Sequence, residues 1–282
     1  MADVHLARGD MNAIVRPELG GSLLGVWQDV DGFQPLLRSQ PDPGDPRQAA
    51  LFPMVPWANR IFDGGFEVGG ERVRLDPLGP GPHVHGYGWV APWSVKQQTA
   101  SEVALVHAHA SPGGYEYEAQ LIYRLVESGL AISLSATNMA ARPMPFGLGL
   151  HPYFERHDDT WLEASVQGVW RADEGSRPLD VEVMPPDLDF ARTPLPTRFV
   201  DALLVGWNGR LHVGRRSTGS VVTLHAAECD LLHLYAPLDA RSFCCEPVTH
   251  AVDAHNHGRM PAPVLATGEM ARLDATLIRT GG

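Results

Sequence analysis

Lysine is nearly missing from this chain: Lys96 stands alone among 22 basic residues, and the arginines that make up the rest are scattered without a run. With a net charge of −11, such a surface repels phosphate backbones, which argues against DNA or RNA as a partner. A neutral or cationic small molecule suits it better. Cysteine is scarce too, limited to Cys229 and the adjacent Cys244 and Cys245. An odd count with two neighbours makes no disulfide framework, and without a CxxC pair no zinc knuckle is expected. No stretch holds 18 consecutive apolar residues, and the opening MADVHLARGDMNAIV lacks a basic segment followed by an apolar core. The expectation is a cytoplasmic chain with neither a membrane-spanning helix nor an export signal.

Helical periodicity is the other absence. The 29 glycines and 24 prolines leave little of the Ala, Leu, Glu and Lys mixture from which long helices are made. What remains reads as strands and turns. Ala13 to Val15 and Leu23 to Trp27, separated by Gly20-Gly21 and followed by Asp31-Gly32, predict an N-terminal meander. Ser39 to Gln48 carries three prolines and a glycine, so it is read as a loop, an excursion over a site. A hairpin is expected across Gly69-Gly70, and alternation from Glu102 to Asn138 predicts two or three antiparallel strands with a turn at Glu127-Ser128-Gly129. Beyond these come WLEASVQGVWRAD, a proline-rich connection from Pro178 to Pro196, and the short apolar runs RFVDALLVGW, VVTLHAA and LLHLYAP. Short strands with turns every ten or so residues indicate an all-β sandwich or barrel, and such folds reach this length as one domain. With no repeat or low-complexity linker, residues 1–282 are taken as a single domain.

Chemistry concentrates in a few places. In FGLGLHPYF, an apolar run delivers His151 into Pro152, and in FCCEPVTHAVDAHNH a similar run delivers Glu246 into Pro247. Proline cannot donate to a ladder and holds the preceding residue extended, so each side chain is expected at a strand end rather than inside a sheet. Histidine titrates nearest neutrality, which makes His151 a candidate for proton transfer. Asp201 is an acid within RFVDALLVGW, and Arg60 follows Asn59 among Trp57, Ile61 and Phe62. That guanidinium either braces a buried carboxylate, such as Glu246, or presents its planar donors to a ligand. His83 and His85 lie two apart in the constrained loop from Gly79 to Trp89. On an extended segment they would share a face, but no third ligand follows at short spacing, so no metal site is expected.

PWANRI (Pro56 to Ile61), HGYGW (His85 to Trp89), GLGLHPYF, VDALLVGW and CEPVTHAVDAHN together resemble the ordered motif series of the aldose 1-epimerase, or galactose mutarotase, family. The likeness runs from about residue 50 to 256. It implies a large antiparallel β-sandwich, an open sugar cleft, no cofactor, no metal, and interconversion of the α and β anomers of a free aldose. Position by position it makes His151 the general acid and Glu246 the general base. Asn59, Arg60, His85 and Asp201 become substrate-binding residues, and Tyr153, Trp57 or Trp89 offers an aromatic face to the sugar. Pro152 after the acid histidine and Tyr87 after Gly86 depart from the best-studied members and resemble a less characterised bacterial branch. Two other readings stay open: a non-catalytic carbohydrate-binding module on the same fold, and an epimerase of a sugar phosphate, which would need an arginine cluster at the cleft.

Overall fold

The structure, a computed structural model, describes residues 2–78, 83–111, 114–173, 177–185, 188, 190–238 and 240–281. Residues 79–82 of the Gly79 to Trp89 loop, and 186, 187 and 189 of the proline-rich connection, lie outside these. Two large antiparallel sheets dominate, as the strand pattern predicts. One has eleven strands, in the spatial order Val4–Arg8, Met11–Arg16, Ser22–Asp29, Leu51–Met54, Gly149–Glu155, Ser242–Val248, Leu231–Ala236, Val200–Val205, Gly168–Ala172 and Pro178–Val183, with Phe33–Pro35 on the flank of Ser22–Asp29. The other has nine, running from Ser94–Gln98 through Glu102–Ala110, Glu116–Val126, Gly129–Asn138, Met270–Thr280, Val221–His225, Arg210–Arg215 and Thr160–Ala164 to Ala191–Pro194.

Alternation in sequence places the core between the sheets. In Glu116–Val126, Tyr117, Ala119, Leu121, Tyr123 and Leu125 are buried while the residues between them are half-buried or exposed. This is the period of two that a one-sided strand requires. The central strands of the larger sheet are buried on both faces. There Leu150, Phe154, Leu232, Leu234 and Cys245 join the main core, whereas Phe52, Tyr153, Leu203, Leu231 and Cys244 form a second apolar cluster on the opposite, outer face. The N-terminal meander, the hairpin across Gly69-Gly70 and the turn before Gly129 all form as expected. Ser39 to Gln48 contains one 3-10 turn, Pro46–Gln48, capped by the Asp45 carboxylate. Among the described residues the α-helix is confined to Ala254–His257, and no helix is long and apolar enough to cross a membrane.

One expectation fails. His151 and Glu246 do not end their strands, which run on to Glu155 and Val248. The register explains why proline is tolerated inside the sheet. Gly149 pairs with Val248 and Tyr153 with Cys244, so Leu150 faces Pro247, His151 faces Glu246, and Pro152 faces Cys245. Tyr153 donates its N–H toward Ala50 on the other side, so Pro152 and Pro247 turn their donorless nitrogens toward each other's strands. Each proline removes one bond from a pair flanking His151 and Glu246, while pairing with Leu51–Met54 and Leu231–Ala236 holds the strands in place.

Over the outer face lie two short connections, 55–61 and 83–89, joined by pairing of Arg60–Ile61 with His83–Val84. Gly86 bridges to Val55 at a φ of +74°, and a Cβ there would stand 2.0 Å from the Val55 carbonyl oxygen. Gly86→Ala combines left-handed strain with a backbone clash, and is expected to cost about 2–5 kcal/mol and lower Tm by roughly 5–15 °C. Gly44→Ala, in open space, should stay within about 0.5 kcal/mol. Denaturant titration of both variants tests the difference.

Candidate active site

The outer face of the larger sheet holds the site because alternate residues of adjacent strands fall into rows. One row reads Phe52, His151, Glu246, His233 and Leu203; the next reads Tyr153, Cys244, Tyr235 and Asp201. Cross-strand neighbours within and between such rows are close enough to interact. His151 Nε2 lies 3.1 Å from Glu246 Oε1, with the two residues 6% and 2% exposed. His233 Nε2 lies 2.6 Å from Asp201 Oδ1, and Arg60 Nη1 stands 3.8 Å from Asp201 Oδ2. Together they line a cavity of about 460 Å³.

The overlying connections complete it. The Asn59 backbone N–H donates to His85 Nδ1 at 3.2 Å, and the His85 N–H donates to the Asn59 carbonyl at 2.8 Å. Both residues sit at positive φ, +55° and +62°. An accepting Nδ1 leaves the proton of neutral His85 on Nε2. Asn59 turns Oδ1 to the Arg60 N–H and Nη1, at 2.8 and 3.2 Å, and Nδ2 to the His233 ring at 3.5 Å. His151 stacks on Phe52 and Tyr153, with centroids 4.4 and 4.8 Å away, and meets His85 edge-on at 5.2 Å.

Burial sets the charges. It pushes Glu246 up to about 8 and drives His151 well below its usual range, the neighbouring His85 and His233 adding to the latter effect. The pair therefore carries one acidic proton without net charge near neutrality, as a carboxylic acid beside a neutral imidazole. Burial would raise Asp201, but the His233 hydrogen bond and the charges of His233 and Arg60 outweigh it and hold the carboxyl low. Burial likewise opposes a charge on His233, yet the Asp201 hydrogen bond and the two nearby acids raise it. His85 is pushed down to about 3, first by burial, and stays neutral.

Every sequence-derived site residue, namely His151, Glu246, Asn59, Arg60, His85, Tyr153 and Asp201, lines this one cavity. Arg60 braces Asp201 rather than Glu246. Trp89 joins the lining, whereas Trp57 is fully buried in the core. The segment from Ser39 to Gln48 reaches the rim through Arg47. His83 and His85 belong to no group of three potential ligands among the described residues. Among the described residues, the one set of potential ligands within 4.8 Å is His151, Cys244 and Glu246. Burial raises both the Cys244 thiol and Glu246, which keeps them protonated and opposes the anions that a cation needs. Sequence reasoning missed His233 and Arg38. The signal for His233 was present, since LLHLYAP surrounds one histidine with apolar residues much as FGLGLHPYF does.

An outer-face cleft on a large two-sheet antiparallel sandwich defines the class: a galactose mutarotase-like protein. The chain belongs to the aldose 1-epimerase family, whose model matches residues 3–276. It is 31% identical over 263 residues to YphB of Escherichia coli K12, a protein of uncharacterised function, covering 89% of each chain. A crystal structure of a candidate aldose 1-epimerase from Escherichia coli K12 superposes with a TM-score of 0.92 at 29% identity, over 100% of this chain and 99% of that one. A galactose mutarotase-like protein from Lactobacillus casei shares the fold, with a TM-score of 0.82 at 18% identity over 99% and 100% of the two chains.

The raised Glu246 has a consequence for stability. Folded Glu246 binds its proton more tightly than the unfolded chain, whose value is near 4.5, so this contribution is complete below that value and is lost as pH rises toward 8. Glu246→Gln removes the titration. Its Tm is expected to gain roughly 2–6 °C on wild type between pH 5 and pH 8. A constant difference by scanning calorimetry would contradict the assignment.

Proposed function

We propose that this protein is an aldose 1-epimerase that interconverts the α and β anomers of a sugar, with Glu246 as general base and His151 as general acid. The observation that supports this most directly is the buried 3.1 Å contact between His151 Nε2 and Glu246 Oε1 on the cavity lining. Moving one proton across that contact converts the neutral pair into carboxylate and imidazolium, and the His233 charge beside Glu246 favours the carboxylate. The reactive state is thus one transfer from the resting one.

A pyranose bound over the two groups gives its C1 hydroxyl proton to Glu246 while His151 protonates the ring oxygen. The C1 to ring-oxygen bond breaks and the C1 carbonyl forms. Rotation about C1–C2 presents the other carbonyl face. On reclosure Glu246 returns its proton to O1, and His151 takes the proton from the attacking hydroxyl. The balance closes with no net proton and no co-reactant. Asn59, Arg60, His85 and Asp201 orient hydroxyls, while Tyr153 and Trp89 offer aromatic faces. A non-catalytic sugar-binding module on this fold has no need of an acid and a base in contact beneath the ligand.

Polarimetry of freshly dissolved α-D-glucose and α-D-galactose tests the reaction. His151→Ala and Glu246→Gln are each expected to lose about 10²- to 10⁴-fold in kcat while still folding. The wild-type rate, corrected for the spontaneous reaction, should stay level from about pH 6 to 7.5. Above about 8 it should fall close to tenfold per unit as the pair loses its shared proton. A rate that climbs through pH 9 would remove Glu246 from the proposed role.

A further inference from the structure

Among the described residues, Arg38 is a cation of this cleft with no carboxylate to answer it. Its guanidinium lies 3.5 Å over the Tyr153 ring, itself 4.8 Å from the His151 ring, so it stands one aromatic ring beyond the proposed acid. Its hydrogen bonds end on neutral oxygens: Nε on the Ala49 carbonyl at 2.9 Å, Nη1 on Ser242 Oγ at 3.1 Å, and Nη2 on the Arg47 carbonyl. A guanidinium has five N–H donors, and a side-chain hydrogen bond to Tyr153 engages a fourth, so one is left over. The other arginines of the cavity are paired, Arg47 with Asp45 at 2.6 Å and Arg60 with Asp201. Burial pushes Arg38 down from its usual value, yet arginine keeps its charge in proteins. A partly desolvated cation without a counter-ion is costly to fold around, and a ligand anion would relieve that cost.

The surrounding charges point the same way. Among the described residues, Arg38, Arg47, Arg60 and His233 bring positive charge to the lining. Asp201 is its ionised acid, since burial keeps Glu246 protonated. Although the chain carries a net −11, the cleft is locally positive, and a low-dielectric recess focuses such a field on an entering anion.

We propose that the site takes an aldose bearing an anionic substituent, a phosphate ester or a carboxylate, which docks on Arg38 and Ser242 while the anomeric carbon sits over His151 and Glu246. This rests on the epimerase reading above. The free Arg38 donor and the Ser242 hydroxyl bind the charged oxygens, beside the Tyr153 ring that the guanidinium covers.

The test compares D-glucose, D-galactose, D-glucose 6-phosphate and D-glucuronate, by anomeric exchange in NMR and by titration calorimetry, with wild type, Arg38→Gln and Arg38→Lys. Thermal melts confirm that the variants fold. At least one charged sugar should exceed both neutral ones by about tenfold or more in kcat/KM, mostly through KM, and by a similar factor in Kd. Arg38→Gln should bring that ratio close to parity, Arg38→Lys should retain part of it, and added salt should weaken it. Preference for the phosphate or for the uronate identifies the anion. Equal turnover of charged and neutral sugars, or a ratio untouched in Arg38→Gln, overturns the proposal and leaves the epimerase reading standing. If no sugar is turned over, the epimerase reading falls. The calorimetric ratio in wild type and Arg38→Gln then decides the anion site separately.

Discussion

A single buried contact, between the imidazole of His151 and the carboxyl of Glu246, organises this molecule. Neither group tolerates an uncompensated charge where it lies, and each satisfies the other by holding one proton between them. The contact needs two strands far apart in sequence to lie in one register. It also needs low surrounding polarity, which Phe52, Tyr153 and Cys244 supply. Were the register between the two strands to slip by one residue, one of the two side chains would turn into the core between the sheets, among Leu150 and Cys245, and the contact would be lost.

Around this neutral pair lies a charged one. Asp201 and His233 keep opposite charges through a 2.6 Å hydrogen bond, and Arg60 adds a second cation at longer range. Two acid–histidine pairs in one small cavity thus hold different protonation states, because one sits among rings and a thiol while the other has a guanidinium and an amide beside it. The same separation of environments allows one acid to keep its proton and another to stay ionised at the same pH.

The sheets were legible in the sequence because a period of two and glycine turns are local signals, and they survive folding of almost any kind. The site was legible in part. His151, Glu246 and Asp201 were visible as polar residues in apolar runs, but their arrangement in rows depends on strand register, which pairs residues 151 with 246 and 233 with 246 and appears in no local pattern. Proline misled on one point. Pro152 and Pro247 read as strand ends, since the cost of a missing donor is judged residue by residue, whereas in the sheet the two losses fall on the same strand boundary and the outer neighbours absorb them. Arg38 was invisible for a related reason: a lone arginine before a loop gains meaning only when its counter-ion proves to be missing.

The strand order carries a kinetic meaning. The rows that line the cleft draw on segments near residues 52, 151, 201, 233 and 246, so few of their neighbours in space are neighbours along the chain. Chains dominated by such distant pairings fold slowly, because each loop must close before its contacts stabilise anything. Here the closing pairs are those that line the cleft. The cavity completes itself only as distant segments dock, and its recovery after denaturation therefore tracks the finished topology rather than early collapse.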